Sequence, residues 1–171
     1  MAKISEKAYY AAPTRPATEL ELAYLAGAMD SDGSIVITRY EPKTTLPYTH
    51  PRHRLWLAIV GTNRKVVDLP LEVFGGLGYA QLPNSKHNRL HTLFRWQVDD
   101  RKAVTALEQL RPYLRLKEDQ AWLALEFRAN YLMHNPLRPE DVALRDGFYL
   151  ALKQMKLEAM EGGEDTPRLL E

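Results

Sequence analysis

Two aspartates close a run of small residues at positions 25–34, where the sequence reads LAGAMDSDGS. Asp30 and Asp32 follow an Ala- and Gly-rich stretch of predicted helix, so both carboxylates meet the partial negative charge at the carboxyl end of a helix. This position is unfavourable for an acid. Carboxylate oxygens are ligands for hard cations such as Mg²⁺, and the placement indicates that some other group offsets the charge.

The flanking sequence predicts the helix that carries these acids. Thr18 and Glu21 have the spacing of a capping box, in which a hydroxyl and a carboxylate bond to free amides at a helix start. We predict a helix from about Glu19 to Asp30, which Gly33 ends. The next residues, SIVITRY, are rich in β-branched and aromatic side chains and predict a strand.

The order of the predicted elements defines the fold class. After this helix and strand, the pattern predicts a second strand, a helix, two strands, a helix and further C-terminal helices, which is an α+β order. An antiparallel sheet with helices on one face leaves its other face open. We predict one domain over residues 18–160, an N-terminal arm over residues 1–17 and a flexible acidic tail over residues 161–171.

Composition excludes several classes of protein. The 171 residues are 45% hydrophobic and 26% charged, as in globular rather than disordered chains. The absence of cysteine excludes disulfides and thiolate zinc sites. No apolar run approaches the ~20 residues that span a bilayer. We therefore expect no membrane partner and a cytoplasmic protein, or one in the matrix or stroma of an organelle if an organelle encodes it.

Positive charge is concentrated in the middle of the chain. Residues 33–98 hold nine lysines and arginines against three acids, a balance of +6, although the whole chain carries +1. The same segment has four of the five histidines. Such an asymmetry indicates a phosphate-binding surface. Exposed basic residues on a strand-rich region are the simpler explanation, which stays open.

The acidic segment resembles the signature of the LAGLIDADG homing endonucleases. The residues that stand where the family has them are Leu25, Ala26, Gly27, Asp30, Asp32, Gly33 and Ser34. The similarity extends from about Thr18 to Leu132 and includes the segments IVGTN, FGGLGY and LRPYLRLKEDQA. The resemblance implies the αββαββα fold of that family, with a saddle-shaped antiparallel sheet that binds DNA and, here, extra C-terminal helices.

The resemblance also implies a metal site at the helix end. In the family, the last acidic residue of each motif binds divalent metal at the scissile phosphates. Asp32 and the backbone carbonyl of Ser31 are thereby expected to bind Mg²⁺, and Mn²⁺ or Ca²⁺ can occupy such a site. Motif helices of two subunits pack together through small residues in the family. The residues expected at that interface are Ala23, Ala26, Gly27 and Asp30.

The single motif implies a homodimer, because one copy makes only half of the family's site. By resemblance, this homodimer is a site-specific endonuclease that hydrolyses both strands of DNA at a palindromic or near-palindromic long site and leaves short 3′ overhangs. A mobile intron is the coding context that the resemblance implies. Two alternatives stay open: an RNA maturase that assists splicing of a host intron, and a DNA-binding regulator without nuclease activity.

Basic residues accompany the metal ligands in the family's catalytic pocket. Lys117, within LRLKEDQ, matches a lysine of that pocket. Lys65 matches an arginine, and Arg64 is a substitute if the second helix is shifted by one residue. Gly61 stands where relatives often carry a polar side chain such as Gln, so this sequence departs from the family's pattern at that position. Both lysines are alternatively ordinary solvated residues at helix starts.

Base recognition is expected on the open face of the sheet. A two-stranded β-ribbon fits the major groove, where arginine pairs with guanine and glutamine with adenine. The residues that alternate onto this face and are expected to contact bases or sugars are Thr38, Tyr40, Arg52, Arg54, Trp56, Gln81, Arg95 and Gln97. The residues in or beside loops that are expected to contact phosphates are Lys43, Lys86 and Arg89.

Two weaker motifs have simpler explanations. The pairs His50–His53 and His87–His91 have metal-ligand spacing but lack a third ligand nearby, so we interpret them as surface histidines. Adjacent acids at positions 99 and 100 are interpreted as the cap of a helix.

Overall fold

The computed structural model describes residues 9–42, 50–83, 91–131 and 138–161, which contain five strands and five helices. The strands are β1 (Tyr9–Ala11), β2 (Gly33–Tyr40), β3 (Arg52–Gly61), β4 (Gly76–Gln81) and β5 (Leu93–Asp99). The helices are α1 (Glu19–Asp32), α2 (Lys65–Phe74), α3 (Asp100–Leu110), α4 (Glu118–Ala129) and α5 (Pro139–Glu161), with a 3₁₀ turn at Arg111–Tyr113. The predicted α+β order is confirmed.

The strands form one antiparallel sheet in the order β1-β4-β5-β3-β2. One face of the sheet belongs to the core, where Ile35, Leu57 and Trp96 are fully buried together with Leu25 of α1 and Leu107 of α3. Side chains of the opposite face are mostly exposed or half-buried. We call this second surface the open face, and it matches the alternation predicted from the sequence.

Helix α1 passes into β2 without a loop. Its capping box is present, since the Thr18 hydroxyl accepts the Glu21 backbone N–H at 3.4 Å and the Glu21 carboxylate accepts the Thr18 N–H at 2.9 Å. The helix extends beyond the predicted end, through Asp32. A Cβ at Gly33 would lie 2.5 Å from the Met29 carbonyl oxygen. Glycine therefore permits the abrupt change from helix to strand that leaves Asp32 at the tip.

Part of the predicted N-terminal arm belongs to the folded domain. Tyr9–Ala11 pairs with β4 as an edge strand. The Arg15 guanidinium donates to Glu72 at 2.7 Å and to Glu21 at 2.6 Å. The hydrogen bond from Arg15 is the main reason why the pKa of Glu21 is lowered to about 2. Strand pairing and two ion pairs thus fix the described part of this arm to the domain. The first eight residues lie outside the described part.

The C-terminal region adds helix α5 to the core. This helix matches the last helix predicted from the sequence, and its Leu152 is buried with the core residues. The tail that follows Glu161 lies outside the described residues. None of the described helices is long and apolar enough to cross a membrane.

Candidate functional site

Asp30 joins the end of α1 to the segment before α4. Its Oδ2 accepts the backbone N–H of Arg115 at 2.7 Å, and its Oδ1 accepts the backbone N–H of Lys117 at 3.0 Å. Hydrogen bonds to a charged group contribute roughly 1.5–3 kcal/mol each. The structure therefore gives Asp30 a role within the chain that its prediction as a subunit contact did not anticipate.

Lys117 neutralises the carboxyl end of α1. Its ammonium donates to the Met29 carbonyl at 2.8 Å and also contacts the Asp30 carbonyl. Positive charge at this end of a helix is stabilising. Burial lowers the pKa of Lys117 below its ordinary value, while Asp30 and Asp32 oppose the shift by favouring the ammonium form. The positive charge of Lys117 thus offsets part of the negative charge of the two aspartates. Lys117 is half-buried and is not a solvated surface lysine.

Asp32 is the acid that stays exposed at the helix tip. The Ser31 hydroxyl lies 3.4 Å from its Oδ2. The atoms that could bind a metal ion at this tip are all oxygens, which suits Mg²⁺. Among the residues that the structure describes, however, no three His, Asp or Glu side chains gather into a metal-binding group. The described residues of one chain therefore fit a divalent cation only in part.

Lys65 is the first residue of α2 and is exposed. Its backbone N–H donates to the Asn63 side-chain oxygen at 3.0 Å, so Asn63 supports the helix start. Within the described part of the chain, no hydrogen bond or ion pair joins Lys65 to Asp32 or Lys117. The charge of Asp32 acts on Lys117, and the contacts of the described residues do not link Lys65 to either of them.

Helix α1 has an apolar surface on both sides. Leu25, Ala26 and Met29 are fully buried in the chain's own core. The exposed side carries Leu20, which is 84% exposed, and Tyr24, which is 56% exposed, together with Ala23 and Gly27. The prediction of Ala26 as a subunit contact is wrong, because this residue faces inward. The exposed stripe is rotated from the predicted one and keeps Ala23 and Gly27.

All eight predicted base-contacting residues lie on the open face. The register pairs Thr38 with Arg54 and Tyr40 with Arg52 across β2 and β3. On the other side of β3, position 58 pairs with Gln97 and position 60 with Arg95. Trp56 and Gln81 fall on the same face by strand alternation. The three predicted phosphate contacts, Lys43, Lys86 and Arg89, lie outside the described residues.

Several side chains on the open face make hydrogen bonds or stacking contacts with one another. The Asp99 carboxylate accepts from Arg54 Nη2 at 2.6 Å and from Gln97 Nε2 at 3.1 Å. The Arg95 guanidinium stacks 4.9 Å from the centroid of the Trp56 ring. Sequence reasoning missed Asp99, which it interpreted as a helix cap. Asp99 does stand at the N-cap of α3, but its side chain makes no capping bond; its spacing of two from Gln97 was the signal.

The structure gives one of the predicted surface histidines, His53, a different position. His53 is buried, and its Nε2 lies 2.8 Å from Asp146 Oδ1 on α5. Its interpretation as a surface histidine is therefore wrong, because it joins β3 to α5 inside the fold. Burial lowers the pKa of His53, and the hydrogen bond with Asp146 opposes this shift. His87 lies outside the described residues.

Several solved structures have a fold similar to that of this chain. The homing endonuclease I-CvuI in complex with its target and Ca is 23% identical, with a TM-score of 0.63 over 80% of this chain and 82% of that one. An archaeal intron-encoded homing endonuclease complexed with DNA is 15% identical, with a TM-score of 0.63 over 80% and 84% of the two chains. The homing endonuclease I-TnaI is 13% identical, with a TM-score of 0.53 over 85% and 99%.

The predicted LAGLIDADG homing endonuclease fold is confirmed by these similarities, which concern the fold alone. No family model matches the sequence, and no curated protein matches it closely.

Proposed function

We propose that the protein is a site-specific endonuclease that cleaves both strands of DNA as a homodimer with a divalent metal. The observation that carries the proposal is the contrast at the end of α1. Asp30 is bound by two backbone N–H groups of its own chain, whereas Asp32 is exposed at the tip beside the Lys117 ammonium. A regulator that only binds DNA has no need of an exposed acid at this tip.

The exposed stripe of α1 supports the homodimer. Leu20, Ala23, Tyr24 and Gly27 form an apolar helix face that the described part of the chain does not cover. A Cβ at Gly27 would meet no atom within 4 Å in its own chain, so the fold of one protomer does not require glycine there. Close packing of a second copy across a two-fold axis does use a small residue. Such packing brings two Asp32 tips together.

Asp32 and the Ser31 carbonyl, from both protomers, are the residues proposed to hold Mg²⁺, with Mn²⁺ or Ca²⁺ as substitutes. A divalent cation in such a site supplies Lewis-acid polarisation of a phosphate and a more acidic bound water. Lys117 adds a fixed positive charge beside the phosphate and keeps the helix end neutralised. Because its Nζ is held by the Met29 carbonyl at 2.8 Å, this charge is placed before DNA arrives.

The open face is the proposed surface for reading double-stranded DNA. Arg54, Arg95 and Gln97 are donors and acceptors of the kind that discriminate bases in the major groove, at about 1–3 kcal/mol for a good bidentate contact. Lys43, Lys86 and Arg89 are proposed to bind phosphates, which positions the protein without specifying sequence. Lys65 remains a proposed member of the catalytic pocket.

Selection of cleaved sites from a randomised duplex library tests the proposal. With Mg²⁺ the wild-type protein is expected to enrich a palindromic or near-palindromic site, and Asp32→Asn is expected to bind that site without cutting it. Glu108→Gln, which removes one exposed carboxylate from α3, serves as the matched control and keeps cutting. Equal cutting by Asp32→Asn, or enrichment of RNA instead of DNA when both are offered, would overturn the proposal.

A further inference from the structure

Asp99 places a negatively charged carboxylate on the open face, which is the surface proposed to bind DNA. It is the last residue of β5, its side chain is 29% exposed, and it pairs across the strands with Trp56. Fixed negative charge on a surface that meets DNA phosphates is repulsive. The helix that follows does not use this carboxylate as a cap. Its two oxygens are instead divided between Arg54 and Gln97.

The contact with Gln97 fixes the direction of its amide. An ionised carboxylate accepts hydrogen bonds and donates none, so the amide end that faces Asp99 is the NH₂ group. The Gln97 Nε2 donates to Asp99 Oδ1 at 3.1 Å. The amide oxygen is therefore turned away from Asp99. An outward oxygen accepts from the amino groups of adenine or cytosine, and it is repelled by the acceptor edge of guanine.

The contact with Arg54 fixes one edge of its guanidinium. Nη2 donates to Asp99 at 2.6 Å, and Nε lies 3.9 Å from a carboxylate oxygen of Asp100. Both acids thus lie on the edge that joins Nε and Nη2. The edge that joins Nη1 and Nη2 keeps its paired donors, which match N7 and O6 of guanine.

We propose that Asp99 is a positioning residue that orients Arg54 towards guanine and Gln97 towards adenine or cytosine, and so sets the bases read at two neighbouring points of the DNA site. The proposal rests on the proposed function, because it requires that the open face reads DNA. Arg95 provides an internal comparison. Its guanidinium stacks on the neutral Trp56 ring at 4.9 Å and not on the Asp99 carboxylate, so we expect the bases that Arg95 reads to depend less on Asp99, which pairs with Trp56 across the strands.

The test is selection by binding from randomised duplex DNA, with Ca²⁺ as the metal, followed by sequencing of the bound DNA. Arg54→Ala, Gln97→Ala and Arg95→Ala first identify the base positions that each residue reads. Asp99→Asn and Asp99→Ser then remove the carboxylate, and both replacements favour a helix N-cap. Asp99→Glu restores a carboxylate, and Glu108→Gln is the control for loss of one charge. Thermal unfolding midpoints verify that each variant is folded.

Asp99→Asn and Asp99→Ser are expected to lower base preference about tenfold at the positions assigned to Arg54 and Gln97. The preference at the Arg95 positions is expected to change less, and Asp99→Glu recovers part of the loss. In a chain that already carries Arg54→Ala and Gln97→Ala, removal of the carboxylate changes nothing further.

An unchanged base profile in Asp99→Asn, or an equal change at every position, would overturn the role of Asp99 and leave the proposed function intact. Failure of the wild-type protein to enrich any sequence would overturn the proposed function and this inference with it.

Discussion

The end of α1 and the open face hold their polar side chains in different ways. At the helix end, Asp30 binds the backbone N–H groups of Arg115 and Lys117, and the Lys117 ammonium binds the Met29 carbonyl. On the open face, Arg54 and Gln97 are held by the side chain of Asp99. Backbone partners are present whatever the neighbouring side chains are. The polar side chains at the helix end are therefore fixed by the path of the backbone, whereas these side-chain contacts on the open face change with single substitutions.

Gly27→Glu is expected to have the largest effect, because it breaks the link between two helix ends. A Cβ added at this exposed position meets no atom of its own chain within 4 Å, so we expect the protomer to fold, but a charged side chain on the α1 stripe blocks close packing of a second copy. We expect a monomer in sedimentation experiments and loss of DNA cleavage. Gly147→Glu on α5, where a Cβ is equally unobstructed, should keep both; a dimeric and active Gly27→Glu variant contradicts the interface.

Lys117→Met tests whether the fixed charge at the helix end serves cleavage. Methionine keeps the length of the side chain and removes the ammonium that binds the Met29 carbonyl. We expect the single-turnover cleavage rate to fall about 10²-fold, the magnitude found when one preorganised electrostatic group is removed, with DNA affinity little changed. Lys153→Met, an exposed position on α5, is the control. A wild-type rate in Lys117→Met would remove this lysine from the proposed pocket.

Asp30→Asn is expected to reduce stability rather than chemistry. An amide has one oxygen to accept from the two N–H groups that Asp30 now binds. The free energy of unfolding in urea should fall by about 1–2 kcal/mol. Asp68→Asn removes an exposed acid that is 3.4 Å from Arg64 and should change stability by less than about 1 kcal/mol. Equal effects of the two variants would show that Asp30 anchors nothing.

His53 gives a smaller effect that depends on pH. Burial holds the pKa of His53 below its ordinary value, so the unfolded chain takes up a proton at a higher pH than the folded chain. The contribution of His53 to the free energy of unfolding is therefore fully present above the ordinary histidine pKa. It falls as pH decreases below about 6.5, by at most about 1.4 kcal/mol per pH unit. Unfolding midpoints between pH 7 and pH 5 measure this slope.

His53→Gln is expected to flatten that slope, while His91→Gln at an exposed position keeps it. A slope that His53→Gln leaves unchanged would assign the pH dependence to other groups. Asp146 is one such group. Burial favours its neutral form, but the hydrogen bonds and the charges of Arg39 and His53 outweigh burial and lower its pKa, so its contribution is lost at more acidic pH than that of His53.

The sequence predicts what depends on local pattern. The capping box at Thr18, the strand after Gly33 and the alternation that places Arg54, Arg95 and Gln97 on one face follow from short-range periodicity. Glycine at position 33 is explained by contacts with Met29 only four residues away. These parts of the fold and of the candidate site are accordingly the ones that the structure matches.

Contacts between distant segments could not be predicted in this way. The Asp30 carboxylate meets a backbone N–H 85 residues further along the chain. Small residues on both sides of α1 made its inward and outward faces hard to distinguish, which is why Ala26 was assigned to the wrong face. The strand Tyr9–Ala11 is too short to carry a periodic signal, and its pairing with β4 depends on tertiary structure.

Binding of Mn²⁺ to the protein–DNA complex, measured by electron paramagnetic resonance together with the mass of the complex, tests the central claim most directly. The account predicts two protomers on each duplex and bound Mn²⁺ that is lost in Asp32→Asn while Glu108→Gln retains it. A complex with one protomer, or Mn²⁺ binding that Asp32→Asn leaves unchanged, would contradict it.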